Sequence, residues 1–93
     1  LFEISRIADL HPTAITHSAR QLRLVFPNGF GASVITDGYG AEEGLYEVAV
    51  LDADGHVTYD TPVTGDVEGY QTSDEVAALL HSIAVLPSSA LER

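Results

Sequence analysis

Ninety-three residues carry fourteen acids against four arginines and no lysine, a formal charge of −10 at pH 7. Such a chain repels phosphate backbones and anionic lipid, because neutralising them takes clustered cations, so direct nucleic-acid and membrane-surface binding are not expected. There is no cysteine to form a disulfide or thiolate ligand, and the length makes one domain that buries roughly 65% of its unfolded surface.

Residues 1–19 read least clearly. Leu1 to Leu10 fits a short helix or a strand equally well, and His11-Pro12 breaks it. Glu3, Arg6 and Asp9 interrupt any apolar signal-peptide region, and no run approaches the ~20 apolar residues that span a bilayer. The expected compartment is therefore the cytoplasm.

The clearest local signal comes next, in Leu22-Arg23-Leu24-Val25-Phe26-Pro27-Asn28-Gly29-Phe30-Gly31-Ala32-Ser33-Val34-Ile35. Two strand-like runs flank Asn28-Gly29, the dipeptide that best accepts the positive φ angles of a two-residue hairpin turn. With that turn, Phe26 opposes Gly31, Leu24 opposes Ser33 and Leu22 opposes Ile35. Leu22, Leu24, Phe26 and Ile35 then share the core face. Pro27 beside the turn also admits a longer loop. Arg20 and Arg23 flank the first run, and ion pairs with the sheet's own carboxylates are the expectation for both.

Residues 36–44 contain three glycines and three acids and predict a mobile, exposed acidic loop. A second hairpin follows, with a β-rich run over 45–51, a turn at Asp52-Ala53-Asp54-Gly55 and a return through His56-Val57-Thr58-Tyr59. The last element is a helix. Thr72-Ser73-Asp74-Glu75 fits a capping box, Val76, Leu79, Leu80 and Ile83 recur at helical spacing, and Pro87 stops the helix near Leu86. The predicted architecture is a single α+β domain over 1–93: a small antiparallel sheet of two hairpins, with the C-terminal helix packed on one face.

The chemistry-bearing constellations are weak. Asp52, Asp54, Thr58 and Asp60 invite a calcium reading, but Gly55 comes too early for an EF-hand loop and no Glu closes it. His11, His17, His56 and His81 match no metal-ligand spacing. Ser33 lies mid-strand and outside a GxSxG elbow. No glycine-rich loop precedes a helix with a Lys to hold phosphate. The sequence therefore predicts no enzyme, cofactor or metal centre.

The segment 22–35, then Gly44-Leu45-Tyr46-Glu47-Val48-Ala49-Val50-Leu51, then Thr61-Pro62-Val63-Thr64-Gly65-Asp66-Val67-Glu68-Gly69-Tyr70 and the following helix resemble small accessory proteins of tailed phages infecting actinobacteria. The resemblance covers roughly residues 20–86 as a pattern of hairpins and turns. It implies no catalytic residues. It does imply a genomic setting, among accessory phage genes that often encode small proteins which bind and redirect a host protein; the lysine-free composition, which points to a GC-rich coding sequence, is compatible with an actinobacterial host.

Charge is also segregated along the chain: eleven carboxylates and no Lys or Arg fall between Asp37 and Glu75. The expectation is a non-enzymatic protein that binds a host or phage protein through an acidic surface matched to a basic partner. Asp37, Glu42, Glu43, Asp52 and Asp54 are the candidate contacts, and Tyr39 the candidate aromatic anchor. Two alternatives stand beside it, a DNA mimic that occupies a nucleic-acid-binding protein and a minor virion component. The open edges of a small sheet also offer strand pairing as a route to a homodimer.

Overall fold

The hairpin expected around Asn28-Gly29 forms, but with three loop residues rather than two. The computed structural model describes residues 10–63 and 67–87. Strand β2 (Gln21–Val25) pairs antiparallel with β3 (Gly31–Ile35), with Val25 opposite Gly31, Leu24 opposite Ala32, Leu22 opposite Val34 and Gln21 opposite Ile35. Gly29 N–H donates to the Phe26 carbonyl (3.0 Å), and Phe26 N–H donates to the Phe30 carbonyl (2.8 Å). Pro27 supplies the fixed φ suited to the second position of a type I turn, and Gly29, at φ 93°, closes the loop in the left-handed region.

That extra loop residue corrects the expected pairing. A one-residue shift turns the alternation over, so Ile35 shares the opposite face with Gln21, and Ala32 and Val34 stand beside Leu24 and Leu22 on the core face. Gly31 opposes Val25, not Phe26. A side chain at Gly31 would collide with the Leu24 carbonyl.

The sheet is a five-stranded antiparallel meander rather than two hairpins. β1 (Ala14–His17), within the segment that sequence left open, pairs with β2; β4 (Tyr46–Leu51) pairs with β3; β5 (Glu68–Gln71) pairs with β4. The return after the Asp52–Gly55 turn is brief. Only Val57 bridges to Leu51, and Thr58 N–H donates to the Val50 carbonyl at 2.9 Å. Further along the same side of β4, β5 takes over, with Gln71 opposite Tyr46, Glu68 opposite Val48 and a register shift between them.

Helix α1 (Ser73–Ala84) begins as its sequence requires. Thr72 Oγ1 accepts from Glu75 N–H (3.2 Å), and Glu75 Oε1 accepts from Thr72 N–H (2.8 Å), which completes the capping box. Val76, Leu80 and Ile83 of the helix join Leu22, Leu24, Phe26, Ala32, Val34, Val48 and Val50 of the sheet side in one buried cluster. Each large side chain so hidden contributes on the order of 1.5–3 kcal/mol. The class is α+β, and no described helix is long and apolar enough to cross a membrane.

The far end of α1 is held by the hairpin turn. Asn28 Nδ2 donates toward the carbonyls of Ile83 (2.8 Å), Leu86 (3.0 Å) and Ala84 (3.2 Å), while Asn28 Oδ1 accepts from Phe30 N–H (3.0 Å). The last carbonyls of a helix have no partner within it, and this one amide supplies a donor to them.

Candidate functional site

Strand β4 divides the candidate residues into two groups. Asp37, Tyr39, Glu42 and Glu43 lie in the loop entering it, and Asp52 and Asp54 in the turn leaving it. The six residues of β4 put roughly 17 Å between its ends at the usual rise per residue. The six candidates are therefore not brought into one patch.

The entering loop is exposed at its acids, as expected, and its backbone is hydrogen-bonded. Ala41–Glu43 form a 3-10 turn, with Glu43 N–H on the Gly40 carbonyl (3.0 Å) and Gly44 N–H on the Ala41 carbonyl (3.1 Å). Leu45 N–H also returns to the Gly40 carbonyl at 3.0 Å. Glu47 Oε1 accepts from Tyr39 N–H (2.8 Å), and the Tyr39 carbonyl accepts from Tyr70 N–H (3.0 Å), which ties the loop to β4 and to β5. Gly40 is buried at φ 98°, and a side chain on it would meet the Tyr70 backbone at 2.9 Å. A side chain on Gly69 would meet Tyr39 Cβ at 2.5 Å. Loop and strand are thus in close backbone contact through two residues without side chains.

This framework leaves its charged groups outside. Among the described residues the carboxylates of Glu42 and Glu43 have no hydrogen bond or ion pair, and Asp37 reaches only Arg20 Nη1, at 3.9 Å. Both members of that pair are well exposed, so the contact contributes little. Asp37, Tyr39, Glu42, Glu43 and Tyr70 surround a depression of about 370 Å³.

Tyr70 is the residue that sequence reasoning passed over. It sits where β5 shifts register against β4 and takes φ 57°, a left-handed conformation that a bulky aromatic residue seldom adopts. The signal available in the sequence was a shared dipeptide, since Tyr39 and Tyr70 each follow a glycine, Gly38 and Gly69. Both rings are exposed, Tyr39 at 66% and Tyr70 at 59%.

The leaving turn uses its acid differently. Asp52 Oδ1 accepts from Asp54 N–H (2.9 Å) and His56 N–H (3.0 Å), while Gly55 N–H donates to the Asp52 carbonyl (2.9 Å). Ligand atoms of Asp52, Asp54 and His56 lie within 4.8 Å of one another. One Asp52 oxygen is already engaged by the turn, and Arg23 Nη2 donates to the adjacent Gly55 carbonyl (2.9 Å). Arg23 thus meets a carbonyl rather than the carboxylate partner expected of it, and it brings its positive charge beside the turn. The arrangement does the work of a hairpin turn. Ser33 is occupied too, its Oγ accepting from Gln21 Nε2 at 3.0 Å.

Compared with known proteins, the chain matches no family model, no curated protein and no solved structure.

Proposed function

We propose that the protein is a non-enzymatic binding protein, of the accessory kind its hairpin pattern resembles, which engages a basic surface on a host or phage protein. Asp37, Glu42 and Glu43 make the electrostatic contact. The observation that carries this reading is the loop of residues 36–45: its backbone is bonded to itself, to β4 and to β5, while Glu42 and Glu43 remain exposed and unpaired among the described residues. Ordering a loop on binding costs free energy, and one already fixed in place avoids much of that cost. Unpaired acids on such a loop steer a cationic partner toward it and disfavour acidic ones. Asp52 is assigned to the fold rather than to the contact, because its carboxylate bonds two amides of its own turn.

The test is affinity capture from an actinobacterial lysate, with the wild-type chain and a Glu42→Arg/Glu43→Arg double variant as baits and mass spectrometry as the readout. The expected result is a basic protein retained by the wild type, released as salt rises and lost from the reversed bait. Equal retention by both baits would remove the loop from the contact.

A further inference from the structure

The partner side of this interface has a more specific chemistry, which rests on the acidic-loop reading above. We infer that the depression between the loop of residues 36–45 and β5 accepts one cationic side chain of the partner, an arginine in an extended basic segment, with Tyr39 and Tyr70 as its aromatic walls.

Two kinds of observation, independent of the acids, concern the rings. The first is exposure: Tyr39 and Tyr70 are both more than half exposed, and both border the same depression. Aromatic side chains supply large contact area with few rotatable bonds, and they concentrate binding energy where they cluster. The second is construction. Tyr70 is in a left-handed backbone conformation at the register shift of β5, a type of irregularity that re-aims side chains, and its N–H is bonded to the Tyr39 carbonyl at 3.0 Å. Gly69 and Gly40 permit the close approach that sets one tyrosine beside the other.

The charge of the surroundings then selects the occupant. Asp37, Glu42 and Glu43 border the same depression, and among the described residues no cation lines it, Arg20 lying beside Asp37 at 3.9 Å. An anionic ligand is repelled, and a neutral one gains no charge–charge attraction from the acids. A guanidinium stacks on an aromatic face while its N–H groups reach carboxylates, so it uses both kinds of wall at once. The depression at the other end of β4, about 260 Å³, already has the Arg23 guanidinium among its walls and does not offer this combination.

The experiment titrates the isotope-labelled full chain with the peptide Ac-Gly-Arg-Gly-Arg-Gly-NH2 and with its glutamine counterpart, following amide shifts by NMR. Shifts at Tyr39, Gly40, Glu42, Gly69 and Tyr70 with the arginine peptide alone are expected. Tyr70→Gly, which accepts the left-handed φ and so preserves the backbone, is expected to weaken binding about fivefold, whereas Tyr70→Phe keeps the ring and the affinity. Unchanged affinity in Tyr70→Gly overturns the aromatic cradle while leaving the acidic contact standing. Equal shifts with the glutamine peptide overturn the choice of a cation. No shift at the depression with the arginine peptide overturns both this inference and the loop as the contact.

Discussion

The two ends of the sheet spend their polar side chains in opposite ways. At the end that holds the hairpin turn and the close of α1, Asn28 and Asp52 face inward on the backbone: one supplies donors to the helix carbonyls, the other accepts from two turn amides. At the other end the backbone is satisfied mainly by itself, through the 3-10 turn and its bond to Tyr70, with Glu47 Oε1 accepting from Tyr39 N–H, and Glu42, Glu43, Tyr39 and Tyr70 are left toward solvent. An acid in a turn is therefore no guide to function until its oxygens are accounted for. Asp52 and Glu42 are both acids in turns, yet only Asp52 has an oxygen engaged by its own turn.

That contrast can be broken most forcefully at Asn28. Asn28→Asp removes the donor and sets a negative charge against the negative pole of α1, so a loss of about 2–3 kcal/mol is expected in urea unfolding. A loss near zero would mean that the turn does not hold the helix end. Asp52→Ala comes next. Two amides lose their acceptor at a partly exposed position, and about 1–2 kcal/mol should disappear from the same measurement. The smallest effect is expected from Glu42→Gln/Glu43→Gln, within about 0.5 kcal/mol of wild type, because no described residue bonds to those carboxylates. Thermal or urea midpoints that fell as far as those of Asp52→Ala would erase the distinction between the two ends.

What the sequence disclosed was local. The capping box of α1 is written in Thr72 and Glu75, three residues apart, and both of its bonds form. The Asn28-Gly29 turn was equally visible, yet Pro27 lengthened the loop by one residue and turned Ile35 to the other face. β1 and β5 have four residues each, and β5 contains Gly69. Strands so short have little pattern of their own and exist through pairing with β2 and β4. The strand that parts the acids of the candidate site was legible too, since the run expected over 45–51 is β4, but which of those acids the backbone engages was not, because it depends on the path of each turn. Tyr70 was hidden for a further reason: its left-handed φ falls at the register shift between β5 and β4, a relation between distant segments.

The single amide of Asn28 has a kinetic corollary. It joins the bend of β2 and β3 to the final turn of α1, residues 55 to 58 positions apart along the chain. Neither piece can loosen without releasing the other, so hydrogen exchange should find their amides opening together as one cooperative unit, rather than a helix that unravels from its tip.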